Sequence, residues 1–434
     1  VSGHLGPVVL QGGTVLDETG SRRADVVVSG GVVSEVGMAV EVPAGAQVLD
    51  ALGCLVVPGL VDLHAHLREP GGEWAETIES GANAAAAGGF SAVVAMPNTT
   101  PPVDSPAMVQ EIRRRAEGAA VEVVPAATLS VGRAGEKLAP FAELFAAGVR
   151  IFTDDGAALA DAWLARQAMS ELASLGACYA EHCEDPSLAA GTVMHEGAWS
   201  SRLGLAGSPS DAEVVVVARD LELARSTGVR LHLLHCSTAR AVELAVAARR
   251  QGVAVTVEVT PHHLTLSDDR FCRLDPSLVV RPPLRTQDDV DRLVRACVAG
   301  EVDAVATDHA PHPPEAKEVP LDEAAPGMVG LETAFPLTLA ALLSAGGSVE
   351  QVVALLSWQP ARIAGLWPRH GGPIRPGSSA NLAVLDPSRR WVVEAERLAS
   401  ASANTPWLGA TMTGRARHLL VEGRVVLADE VLEA

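Results

Sequence analysis

Through the middle of the chain, from about residue 56 to 374, apolar runs of strand length alternate with Ala/Leu-rich runs of helical length. That alternation marks repeated βα units around a parallel sheet. Eight strands are expected, at 60–66, 91–96, 121–128, 149–154, 177–183, 229–236, 253–260 and 303–308, the number that closes a (β/α)8 barrel of the TIM type. The helix boundaries agree. Asp104-Ser105-Pro106 reads as an N-cap with proline at the first helical position, and Gly88-Gly89 closes the Ala-rich run after the first strand.

Both ends of the chain follow a different rhythm. Residues 8–50 give short β-like pieces broken by Gly-Gly and Pro, and from about Ser378 the style returns in ANLAVLDP, RWVVEAE and HLLVEGRVVLADE. VVVSGGVVSEVG and HLLVEGRVVLADE share a strand, glycine turn, strand pattern, as hairpins do. Neither end can bury a core alone. The expected organisation is therefore a small β-sandwich built from residues 1–55 and 375–434, with the barrel, 56–374, inserted between its halves.

Polar residues fall at one end of the predicted strands. In order the strands finish in His64, His66 and Arg68; Met96-Pro97-Asn98; Thr128; Asp154-Asp155; His182; His235; Thr260 with His262 and His263; and Asp308 with His309 and His312. Barrel enzymes carry their chemistry at the carboxyl ends of the strands. On a strand, His64 and His66 share a face about 6–7 Å apart, within reach of one cation. A buried strand does not end in two imidazoles and a guanidinium without something charged to meet them. Four histidines and two or three carboxylates exceed one tetrahedral ion; a pair of ions about 3.5–4 Å apart would use them all. The nitrogen and oxygen donors suit zinc, with manganese or cobalt as substitutes.

Composition narrows the partners. The chain has 434 residues, 48% hydrophobic and 20% charged, with a net charge of −20, which argues against nucleic acid or an anionic membrane surface. Six dispersed cysteines without C-x-x-C spacing fit reduced thiols, and residues 1–10 carry no charged signal-peptide region, so a cytoplasmic protein is expected. Among 33 basic residues only Lys137 and Lys317 are lysines.

DLHAHLR at residues 62–68 and ATDHAPH at 306–312, with Lys317 beyond, resemble the two signature motifs of dihydroorotases in the amidohydrolase superfamily. MPNT (96–99), FTDDG (152–156), AEHCE (180–184), HCST (235–238) and EVTPHHL (258–264) match the same family in order. The resemblance implies that His64, His66 and Asp308 hold one zinc ion, and that His182 and His235 hold a second. It implies an aspartate bridge, since no lysine is placed to take that role, and in the TDDG type this is the second Asp, Asp155. Strand alternation alone leaves Asp154 and Asp155 open.

The resemblance also implies that Asp308 carries a proton between water and the ring nitrogen, and that Arg68, Asn98 and His312 hold a substrate carboxylate. One departure stands out: the family commonly has Asn before PPLR, where this chain has Arg281, a further substrate-binding candidate. The implied activity is reversible, metal-dependent closure of N-carbamoyl-L-aspartate to L-dihydroorotate in pyrimidine biosynthesis. Two alternatives belong to other classes. One is a hydantoinase- or allantoinase-like enzyme, disfavoured by Arg68; the other is a non-catalytic partner of aspartate transcarbamoylase, disfavoured by the filled ligand positions. A homo-oligomer and association with that transferase are compatible with either active reading.

Overall fold

This computed structural model describes residues 6–433, and in it tight glycine-containing turns close two hairpins. Asp25–Ser29 and Val32–Gly37 pair antiparallel across Gly30 and Gly31, whose φ values of 60° and 82° lie in the left-handed region that favours glycine. Thr411–Val421 and Arg424–Ala428 pair across Glu422 and Gly423, both also at positive φ. The likeness of the two segments in sequence is thus a likeness of turn geometry.

The two chain ends meet directly. Leu382–Val392 runs antiparallel to Leu55–Pro58, Leu382 opposite Pro58 and Leu385 opposite Leu55. One sheet of four strands comes from the first fifty residues; a second, of seven, mixes strands from both ends. Between them pack Val8, Leu10, Val26, Val56, Leu382, Val384 and Leu420, all buried. The strand Leu55–Pro58 lies across the expected boundary between residues 55 and 56 and pairs within the sandwich. Positions 1–5 and 434 of the expected β-domain, and half of the stretch examined for a signal peptide, lie outside the described residues.

All eight expected barrel strands are present: Leu60–Ala65, Phe90–Ala95, Glu122–Pro125, Ile151–Phe152, Cys178–Glu181, Arg230–Leu233, Val255–Val259 and Ala304–Val305. Neighbours pair in parallel, and the ring closes through parallel bridges Ala127 to Phe152 and Ala65 to His309. The fourth and eighth strands are two residues long, shorter than their apolar runs suggest. The backbone after each leaves the ladder early to form the turns that carry Asp155 and Asp308. Helices such as Ile78–Ala87, Asp211–Thr227 and Ala239–Arg250 cover the outside, their alanines and valines buried against the strands. No described helix is long and apolar enough to cross a membrane.

Close approach limits one helix end. A Cβ on Gly88 would lie 2.3 Å from the Leu331 carbonyl oxygen. Gly88→Ala is therefore expected to destabilise the protein by about 1–3 kcal/mol, the usual cost of overpacking against a backbone that cannot yield. Thermal unfolding checks this; an unchanged midpoint would contradict it.

Candidate metal centre and active site

His64 is the penultimate residue of the first barrel strand and His66 follows the strand's end; their ring centroids lie 5.3 Å apart. His64 Nε2 is 3.3 Å and His66 Nε2 3.4 Å from the two oxygens of Asp155. From the far side, His182 Nδ1 and His235 Nε2 each stand 3.4 Å from Asp155 Oδ1 and 3.0 Å from each other. Two groups able to hold a metal ion result, His64/His66/Asp155 and Asp155/His182/His235, sharing one carboxylate. Asp308 Oδ1 lies against the first group, 3.2 Å from His66 Nε2 and 3.6 Å from His64 Nε2.

Asp154 and Asp155, adjacent in sequence, do different work. The Asp154 carboxylate accepts the Leu129 and Ser130 amides at 2.8 and 3.1 Å and the Ser130 hydroxyl, tying this turn to the loop that follows the third strand. Asp155 is left facing the four imidazoles. His235 and Asp308 adopt left-handed backbone, at φ 32° and 46°. Non-glycine residues persist there only where the surroundings over-determine them, and such strain gathers at functional sites.

Two carboxylates outside the cavity hold this geometry. Glu258, wholly buried on the seventh strand, contacts His64 Nδ1 at 3.2 Å and His232 Nε2 at 3.1 Å, and accepts the His235 amide at 3.1 Å. This fixes which nitrogen His64 turns inward, the common arrangement behind metal-ligating histidines. Asp62 accepts the Thr307 amide at 2.8 Å and its hydroxyl at 2.6 Å, anchoring the residue before Asp308. Sequence reading passed over Glu258 and His232. The signal was present, a charged residue inside an apolar buried strand, but it points away from the cavity.

Charge in the cluster is mutual. Burial works against ionisation of Asp155, yet His64, His182 and His235 hold its carboxyl well below the usual range. Burial would lower His182 too, but Asp155 and Glu184 raise it to about 10, and Asp155 lifts His64 well above its ordinary value in the same way. Burial, with Arg68 nearby, lowers His66. Glu258, despite burial, is held at about 2 rather than 4.5 by His232 and His64. A carboxyl depressed on folding stabilises the protein above its unfolded pKa and loses that contribution as pH falls through the folded one. The metal-free protein is therefore expected to lose stability between pH 4.5 and about 2, and Glu258→Gln to flatten that loss. Urea unfolding across that range measures it; parallel curves for the two proteins would refute the assignment.

The remaining predicted residues line the same cavity of about 280 Å³: Arg68, Asn98, His312 and Arg281, with Pro326 and Gly327. Arg68 Nε donates to the Pro311 carbonyl at 3.2 Å, and its Nη2 lies 3.4 Å from His312 Nε2. Burial and that guanidinium push His312 down to about 3, so its imidazole is neutral. Asn98 Oδ1 meets His66 Nδ1 at 3.0 Å, joining this part of the cavity wall to the histidine cluster. Arg281 is at the exposed rim, donating to the Thr192 carbonyl at 3.4 Å. Asn404, from the C-terminal segment, accepts the His312 amide at 3.0 Å and donates to the carbonyls of Ala310 and Gly327 at 3.0 and 3.1 Å. The sequence offered no sign of it.

His262, His263 and His309 stand behind the wall. His309 contacts Glu76 at 3.1 Å and His263 the Pro282 carbonyl at 3.1 Å, while burial lowers His262 to about 4. Cys183 and Cys236 belong to the core between barrel and helices, and burial raises both thiols.

The donor set fits a divalent cation. His64 Nε2 is buried, has no hydrogen-bond partner, and lies among carboxylate oxygens, which is costly unless a positive charge meets it. Comparison with known proteins agrees. The family described as dihydro-orotase-like matches residues 53–241. A dihydroorotase of Mycobacterium leprae is 44% identical over 422 residues, 96% of this chain and 97% of that one. The chain belongs to the dihydroorotase family. A second dihydroorotase, from Pelotomaculum thermopropionicum, is 44% identical over 98% of this chain and 99% of its own. Among solved structures, L-hydantoinase (dihydropyrimidinase) from Arthrobacter aurescens superposes with a TM-score of 0.89 at 26% identity, covering 98% of this dihydroorotase-family chain and 97% of its own. Barrel and sandwich together are thus shared with that hydantoinase.

Proposed function

We propose that this chain is a dihydroorotase that interconverts N-carbamoyl-L-aspartate and L-dihydroorotate through a pair of zinc ions. The observation that carries the reading is the Arg68 guanidinium, without a carboxylate partner among the described residues, in the cavity that also holds the doubled ligand cluster. His64, His66 and Asp308 would hold one ion and His182 and His235 the other, with Asp155 between them. Such ions polarise a carbonyl and make water a competent nucleophile at neutral pH.

The rest falls to the protein. Arg68 and Asn98, with neutral His312, grip the α-carboxylate in a charge-assisted way and set the distance from it to the reacting carbon. In ring closure the ureido nitrogen bonds to the β-carboxyl carbon and a C–O bond breaks. Asp308 accepts the proton leaving that nitrogen and delivers it to the departing oxygen; in ring opening it returns a proton to the ring nitrogen. Its carboxylate is kept ionised for this role, since His66 and His64 overcome burial and hold it well below the usual range.

In the same reading the catalytic barrel begins just after Pro58, since Leu55–Pro58 pairs within the sandwich, and runs to about residue 374, with the flanking segments forming the composite β-domain. The six free cysteines suit a cytoplasmic setting. Self-association and a complex with aspartate transcarbamoylase are compatible with this reading; light scattering with and without the transferase tests both. Assay of the zinc-loaded protein against dihydroorotate, dihydrouracil, hydantoin and allantoin tests the activity. Dihydroorotate should be the preferred ring, whereas preference for an uncharged ring would favour a hydantoinase-like enzyme. No turnover at all would favour a non-catalytic partner.

A further inference from the structure

Two lengths of coil, 309–312 and 326–329, make the cavity wall where Arg68 and His312 stand. They pair like strands at a single bridge, His309 to Met328, where the Ala310 amide donates to the Met328 carbonyl at 2.8 Å. Beyond it Pro311 has no amide to give, and the ladder stops. The Asn404 side chain takes the place of the missing rungs. Its Nδ2 donates to the Ala310 and Gly327 carbonyls at 3.0 and 3.1 Å, and its Oδ1 accepts the His312 amide at 3.0 Å. Its own carbonyl accepts the Val329 amide at 3.1 Å. The carbonyl between these contacts, that of Pro311, accepts Arg68 Nε at 3.2 Å. Both polar atoms of this buried carboxamide are therefore used. The set needs two donors and an acceptor in one planar group, and glutamine would overshoot by a methylene. The approach is tight as well: a Cβ on Gly327 would lie 2.6 Å from the Ala310 Cβ.

Asn404 arrives from the β-domain. The coil between strands Leu382–Val392 and Thr411–Val421 crosses the barrel rim. On the way Glu332 accepts the Ala399 amide at 2.8 Å, Glu76 accepts the Ala401 amide at 3.0 Å, and the Ser402 hydroxyl donates to the Ala75 carbonyl at 2.7 Å. The coil is thus anchored to the loops after the first and eighth barrel strands before it reaches the wall. We propose that Asn404 is a positioning residue for substrate: by locking 310–312 against 326–327 it fixes the spacing of Arg68 and His312, and with it their grip on the substrate carboxylate. This rests on the dihydroorotase reading above and gives the β-domain a part in substrate binding.

Two variants test it, Asn404→Ala and the isosteric Asn404→Asp, which turns both donors into acceptors facing carbonyl oxygens. Each is assayed with dihydroorotate beside the wild type, with zinc content and thermal midpoint measured on the same sample. KM should rise about tenfold for Asn404→Ala and further for Asn404→Asp, while kcat stays within about threefold and zinc content is unchanged. The deciding measurement is a double-mutant cycle with Arg68→Met. With Arg68 gone the charged grip is already lost, so Asn404→Ala should then change kcat/KM by less than about twofold. A residue that merely supports the fold would cost the same in either background. An unchanged KM, additive losses in the cycle, loss of kcat or zinc in place of KM, or failure of both variants to fold would overturn this inference and leave the dihydroorotase reading intact. A wild-type protein without dihydroorotate turnover would overturn that reading as well.

Discussion

Asp308→Asn is expected to lower kcat by about 10³-fold in both directions, within the range for loss of a positioned acid–base group, with KM little changed. The carboxamide retains an oxygen at the same place but cannot accept a proton. The position is fixed by its neighbours: Asp62 clamps Thr307 through two hydrogen bonds, and the Thr307 hydroxyl accepts the His309 amide at 3.0 Å, so both residues flanking Asp308 are held. Its left-handed backbone is maintained from either side. Steady-state rates with zinc content measured on the same sample check the prediction. If the variant keeps its metal and loses less than tenfold in kcat, Asp308 is a ligand without a proton role.

Arg68→Met removes the charge and retains most of the apolar stem. For dihydroorotate kcat/KM should fall by about 10²–10³, since stripping one partner from a desolvated charge pair costs about 2–5 kcal/mol. An uncharged ring such as dihydrouracil has no carboxylate to lose, so its turnover, however slow, should be unaffected. The comparison matters more than either number. Equal losses on both rings would mean that Arg68 supports the fold of the cavity through its bond to the Pro311 carbonyl, rather than choosing the substrate.

The parts of this site that were legible in sequence share one physical property. His64, His66, His182, His235 and Asp308 are polar groups at the ends of apolar strands, where burial makes an unpaired side chain costly, so their placement announces a ligand. The barrel was legible for the same reason, as its strands must be apolar on both faces. Asp154 and Asp155 were not separable by periodicity, because the chain turns there; the amides of Leu129 and Ser130, in the loop after the third strand, distinguish them by capturing Asp154. Arg133, at the end of the single 3-10 turn Val131–Arg133, and Asn404, in coil, sit where no period constrains the side chain, and each acts through contacts distant in sequence. Glu258 is hidden differently. Its strand was found, but a carboxylate that serves three groups behind the cavity resembles any buried polar residue until its partners are seen.

The central claim is that Asp155 joins two metal ions, and diffraction from zinc-loaded crystals on either side of the zinc absorption edge tests it most directly. Two anomalous peaks should appear, one bounded by His64 and His66 and one by His182 and His235, each about 2.0–2.2 Å from an oxygen of Asp155. A single peak, or two peaks with Asp155 bound to neither, would contradict the account.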